Sequence, residues 1–220
     1  MEHEFFFAVI TIIGIDLILG GDNALIIAMA SKNLSNKDRN RAIVLGTIIA
    51  VLLRICMTSA AVYLLTIPYL QLAGGILLLY LGYHLLVEDS ESKQVKSSPS
   101  IWKAIRTIVL ADLFMSFDNV IAVAGASHGN YLLVVLGLMV SVPVIIWGSK
   151  LIYKAMGKFP FLIYVGSALL AYTGGEMITR ERKLAQFFEG QDVLPVLLPV
   201  LSILFVLLAS IFYEQSVHKQ

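Results

Sequence analysis

Two oily stretches of this chain carry the same acidic pattern. Residues 16–31 read DLILGGDNALIIAMAS and residues 112–127 read DLFMSFDNVIAVAGAS, so Asp16, Asp22, Asn23 and Ser31 recur as Asp112, Asp118, Asn119 and Ser127. A carboxylate in hydrocarbon costs about 3 kcal/mol or more, so acids repeated at matched positions need a compensating partner. The simplest one is a cation. Four carboxylates and two Asn side-chain carbonyls make an oxygen-only ligand set that needs neither His nor Cys. Hard divalent cations such as magnesium, calcium and manganese take such oxygens, whereas zinc and copper favour nitrogen or sulfur. Four negative charges overbalance one divalent ion, so some of these acids should be protonated or paired when no ion is bound. Exchange of metal for protons is the coupling this would permit.

Positioning is the next requirement. On a regular helix Asp16 and Asn23 share a face, while Asp22 points about 120° away. Gly20 and Gly21 stand just before Asp22, where missing side chains allow a bend or a short unwound turn that would swing its carboxylate inward. The second copy has Ser116 and Phe117 there, which predicts a milder break, and Ser116 adds an oxygen on the face of Asp112. Arg54 sits mid-run in an apolar stretch, where an unpaired guanidinium is costly. It either compensates Asp22 or Asp118 or reaches toward an interface. Glu176, whose repeat mate is His84, reads as part of an ion vestibule or as an ordinary interfacial group. The competing structural reading is that each Asp hydrogen-bonds across a helix interface. Duplication of the whole motif weighs against it.

The surrounding elements follow from composition. With 58% hydrophobic and 14% charged residues, the chain fits a polytopic membrane protein, since soluble domains average about 25% charged. A crossing needs about 20 mostly apolar residues, and such stretches lie near 5–30, 42–65, 70–87, 104–127, 132–153, 161–178 and 193–213. Seven transmembrane helices are therefore expected. MEHEFFF has no basic residue before its apolar run, which predicts a retained first span. Basic residues from Lys32 to Arg41, Lys93 to Arg106, Lys150 to Lys158 and at Lys219 outweigh Arg180, Arg182 and Lys183 on the alternate loops. This bias predicts an extracytoplasmic amino terminus and a cytoplasmic carboxyl terminus. A net charge of +1, spread between spans, carries no signal for nucleic acid, and the single Cys56 excludes an intrachain disulfide.

The repeat extends beyond the acids. Gly46 corresponds to Gly137, and Pro68, Leu70, Tyr80 and Gly82 to Pro160, Leu162, Tyr172 and Gly174. Two copies of a three-span unit, each with an odd number of crossings, must be inverted relative to each other. The expected all-α organisation is a first three-helix repeat (1–87), a cytosolic linker (88–103), a second, inverted three-helix repeat (104–178), an extracytoplasmic loop (179–192), and a seventh helix with a cytosolic tail (193–220). The extra helix is expected to pack against the bundle or against a neighbouring protomer in an oligomer.

DLILGGDN and DLFMSFDN on inverted three-span units resemble the TerC family of bacterial integral membrane proteins, across essentially the whole chain. The resemblance implies a multi-pass protein of the bacterial cell membrane that exports manganese(II), ahead of calcium or magnesium, and the symmetry of the repeats suggests that it would do so by alternating access. It also implies a metal site at Asp16, Asp22, Asn23, Asp112, Asp118 and Asn119, to which the reading of the residues adds Ser116, Arg54 and Glu176 as secondary candidates. Neither a catalytic residue nor a bound cofactor is expected. Two alternatives remain at this level: an intramembrane aspartyl protease, which would use two acids to activate water, and a noncatalytic membrane scaffold in a metal-stress response.

Overall fold

The structure, a computed structural model, describes residues 2–60, 67–92, 100–117, 119–120, 123, 131–181, 183–188 and 193–217. Among them are nine helices: α1 (Glu2–Leu19), α2 (Gly21–Ser31), α3 (Asn36–Ser59), α4 (Leu70–Ser92), α5 (Ile101–Met115), α6 (Tyr131–Lys158), α7 (Leu162–Thr179), α8 (Ala185–Phe188) and α9 (Leu194–Val217). No strand occurs among the described residues, as the all-α expectation requires.

Among the described residues, four helices are long and apolar enough to cross a membrane, over Asn36–Ser59, Leu70–Glu88, Tyr131–Lys158 and Leu194–Tyr213. A fifth arises if the segments Val9–Leu17 and Gly21–Ser31, bent by 50°, form one span. Seven were expected, and the difference has local causes. The fourth predicted stretch is cut short because α5 ends at Met115 and most residues after Val120 lie outside the described set. In α7, the sixth, Ser167, Thr173, Gly174, Gly175 and Glu176 dilute an otherwise apolar helix. Large side chains left exposed on α9, including Val196, Val200, Leu204, Phe205, Leu208 and Phe212, invert the pattern of a soluble surface and suit contact with lipid.

Compact packing does not follow the repeat boundaries. One unit comprises residues 1–66 and 100–155, and the other residues 67–99 and 156–220. Each therefore draws helices from both halves of the sequence.

In the first unit, α3 packs on α5, and α2 packs on α5 and α3. Ser35 starts α3, accepting from the Asp38 N–H at 3.3 Å and donating to Asp38 Oδ2 at 2.9 Å, a reciprocal cap. Arg39 closes the preceding helix: its guanidinium donates to the carbonyls of Ser31, Lys32 and Leu34 and lies 3.7 Å over the Tyr153 ring. A cation at a helix carboxyl end satisfies orphan carbonyls and complements the dipole. Two buried aliphatic clusters lie in this unit, one containing Ile12, Val123 and Val134, the other Ile108, Ile27 and Ile43. They are repeat counterparts. Ile12 and Ile108 each stand four residues before the first Asp of a motif, Ile27 and Val123 five after the second, and Ile43 and Val134 three before the matched glycine. Contacts at those glycines are reciprocal as well: a Cβ on Gly46 would lie 3.0 Å from Ile108, and one on Gly137 2.3 Å from Ile12.

The second unit is a bundle of α4, α7 and α9. Its α4 and α7 backbones approach closely, since a Cβ on Gly75 would sit 2.5 Å from the Gly174 carbonyl oxygen and one on Gly174 2.7 Å from that of Gly75. Gly82 meets Ser167 in the same way at 3.1 Å. Ser167 follows Leu162 by five residues as Gly75 follows Leu70, so the repeat correspondence exchanges these two contacts. Small residues permitting such an approach are a common basis of helix association in bilayers. Gly174→Leu should therefore lower thermal stability in detergent by about 1–3 kcal/mol through overpacking. Gly157→Ala, where an added Cβ meets nothing within 4 Å, should be neutral in the same measurement.

Candidate functional site

The acidic motifs break their helices at the same place. Between α1 and α2, Gly20 adopts φ −105° and ψ 10°, and its N–H donates to the Asp16 carbonyl at 2.8 Å. At the end of α5, Ser116 adopts φ −82° and ψ 0°, with its N–H donating to the Asp112 carbonyl at 2.9 Å. The second motif therefore breaks at Ser116, as expected, with dihedrals nearer to helical values than those of Gly20. Only the first copy requires glycine, because a Cβ on Gly20 would lie 2.6 Å from the Asp16 carbonyl oxygen.

Around these breaks lies a buried cluster of charged and polar side chains. Asp16 on α1, Arg54 on α3 and Asp112 on α5 are 0%, 1% and 7% exposed. Arg54 bridges the two acids: Nη1 pairs with Asp16 Oδ1, and Nη2 with Asp112 Oδ1 at 2.5 Å. The Arg54 Nη2 group also donates to Ser116 Oγ. Asn23 Nδ2 donates to the same Asp112 oxygen at 2.8 Å. Ser141 Oγ on α6 donates to Asp16 Oδ2, so both Asp16 oxygens are engaged. A guanidinium suits this position, since its planar fork reaches two carboxylates at once and carries a fixed charge.

Several oxygens of the cluster remain unused. Asp22 Oδ1, Asn23 Oδ1 and Asp112 Oδ2 are buried without a hydrogen-bond partner among the described residues, as are Arg54 Nε and Asn119 Nδ2. Such groups are rare, and each calls for an explanation such as a bound ion. Asp22 is close enough to Asp112 for their charges to repel and to Arg54 for attraction. No group of three or more His, Cys, Asp or Glu side chains surrounds a common point among the described residues.

The sequence-predicted residues thus divide. Asp16, Asn23, Asp112, Ser116 and Arg54 are joined by direct hydrogen bonds. Asp22 lies within their electrostatic reach, and Asn119 is buried in the same unit. Asp118 lies outside the described residues. Arg54 neither reaches an interface nor pairs directly with Asp22; its partners are the first acids of the two motifs, Asp16 and Asp112. Glu176 belongs to the second unit and pairs with Arg180 one turn away at 2.6 Å, which fits an interfacial group. Ser141 was not singled out from sequence. Its repeat counterpart is Ala50, so no duplicated signal marks it.

The sequence model of the integral membrane protein TerC family matches residues 1–218. Among similar proteins, the uncharacterized membrane protein YjbE of Bacillus subtilis is 66% identical over 215 residues, covering 98% of this chain and 99% of that protein. The UPF0053 protein YegH of Escherichia coli is 27% identical over 199 residues, covering 78% of this chain but 38% of the longer relative. The uncharacterized membrane protein YkoY of Bacillus subtilis is 24% identical over 192 residues, 59% of its length. No solved structure matches the chain. The whole-length match and the full-length identity with YjbE, together with the apolar helices, lead to one conclusion: the chain is a multi-pass membrane protein and belongs to the integral membrane protein TerC family.

Proposed function

We propose that this protein exports a hard divalent cation, manganese(II) in the first place, across the bacterial cell membrane. The observation that carries the reading is the trio of buried oxygens without partners, on Asp22 and Asn23 from the first motif and Asp112 from the second. An orphaned acceptor in a dry site is expensive, and a cation with oxygen preference is the ligand that best satisfies three of them. Asp118 and Asn119 would add oxygens from the second half. Asp16, with both oxygens engaged, anchors Arg54 in this scheme and does not face the ion.

An arrangement of seven spans as two inverted three-helix repeats plus one helix is favoured by the reciprocal contacts Gly46 to Ile108 and Gly137 to Ile12, and Gly75 to Gly174 and Gly82 to Ser167. A twofold relation between halves is what alternating access uses, by rocking one set of helices around a fixed site. Exchange for protons at Asp22 or Asp118 would balance the charge. The protein does no covalent chemistry in this account. The amino terminus is outside the cell and the carboxyl terminus inside.

The test is intracellular manganese in bacteria grown with excess metal. Cells producing the protein should hold less manganese than cells carrying an empty vector. Equal manganese in the two, with the protein verified in the membrane, would overturn the proposal and leave the scaffold reading in its place.

A further inference from the structure

We propose that Arg54 is a tethered surrogate cation, competing with the transported ion for Asp112, so that monovalent cations are excluded and divalent cargo is released. The inference rests on the exporter reading and deepens it.

Asp112 is shared between two roles. One of its oxygens, Oδ1, is held by Arg54 Nη2 and Asn23 Nδ2, while Oδ2 is one of the partnerless acceptors. The same carboxylate therefore belongs both to the arginine bridge and to the proposed ion ligands. A cation taking Asp112 must weaken its bond to the guanidinium, and a guanidinium returning to Asp112 must weaken the hold on the cation. Arg54 cannot leave, because its Nη1 remains anchored on Asp16, itself fixed through its second oxygen by Ser141. Tethering gives the competitor a high effective concentration, independent of the solution.

Charge then sets selectivity. Sodium or potassium replacing the guanidinium at Asp112 would exchange one unit charge for another and sacrifice charge-assisted hydrogen bonds. A divalent ion brings twice the charge to the same oxygens, and Coulomb attraction scales with it. The fit to Arg54 is specific to its residue type, since a lysine ammonium is a point charge without the fork that spans Asp16, Asp112 and Ser116. Arg54 also lacks a repeat counterpart: eight residues after Gly46 stands Arg54, and eight after Gly137 stands Ile145.

The experiment is a titration of manganese(II) into the purified full-length protein in detergent, following free metal by its electron paramagnetic resonance signal, at low and high potassium chloride. Wild type should bind manganese with an affinity that potassium changes only by ionic screening. Arg54→Gln should bind about tenfold tighter at low salt, and potassium should now compete directly. Arg54→Lys should fall between the two, and it carries the test if the Gln variant fails to fold. Equal affinity and equal potassium response in wild type and both variants would refute the competition while leaving the exporter reading intact. Weaker binding in the variants would also refute it, making Arg54 a support for the ligands. Binding by none of the three proteins would remove the exporter reading and this inference together.

Discussion

Asp22→Asn should abolish manganese export while leaving the fold in place. Asp22 Oδ1 has no hydrogen-bond partner among the described residues, and its side chain is joined to neither Arg54 nor Asp112 by a hydrogen bond, so the substitution leaves the Asp16–Arg54–Asp112 bridge intact. What it removes is a full negative charge beside the proposed ion position. Near a divalent cation that charge is worth several kcal/mol even in a partly polarisable interior, so affinity should fall about 100-fold or more. Manganese-loaded proteoliposomes measure the consequence. Wild type should release metal, and Asp22→Asn should be indistinguishable from empty liposomes, with an unchanged melting temperature. Undiminished efflux by the variant would exclude Asp22 as a ligand.

Asp16→Ala carries the opposite expectation, a large loss of stability. Asp16 is fully buried, accepts from Arg54 through one oxygen and from Ser141 through the other, and so fixes one end of the guanidinium. Its removal leaves Arg54 with a single carboxylate in a dry environment, and breaking a buried ion pair costs about 3–5 kcal/mol. Ser141→Ala should cost less, about 1 kcal/mol, since only a neutral donor is lost. Unfolding in a graded detergent series, read by helical circular dichroism, would rank the two variants. A mild effect of Asp16→Ala would mean that the arginine finds its compensation elsewhere.

Much of the site could be read from residues alone, and the rest failed for physical reasons. Duplicated Asp-Asn pairs in apolar sequence marked the cluster because charge in hydrocarbon demands a partner. Gly20 and Gly21 marked the break in the first motif, and the repeat carried that expectation to Ser116 in the second, where serine alone gives a weaker signal because it tolerates a helix. Arg54 was visible as costly, yet pairing it depends on which helices meet, and α3 lies against α5, whose Asp112 it reaches. Ser141 was invisible: a serine in an apolar helix usually bonds the preceding turn, as Ser141 also does with the Leu138 carbonyl at 2.9 Å. The grouping of helices was hidden too. Order along the chain favours consecutive helices as partners, whereas each compact unit combines segments from both halves.

The single arginine has one more implication. Two perfectly matched halves around an axis would present an ion with the same landscape from either face of the bilayer, and such a device leaks as readily inward as outward unless another gradient biases it. In the inverted arrangement proposed above, a fixed positive charge where the other half holds isoleucine would make the approach from one side differ from the approach from the other. In the exporter proposed above, that difference lets the affinity and rate of ion loading differ between the two faces, while the direction of net flow stays with the gradients.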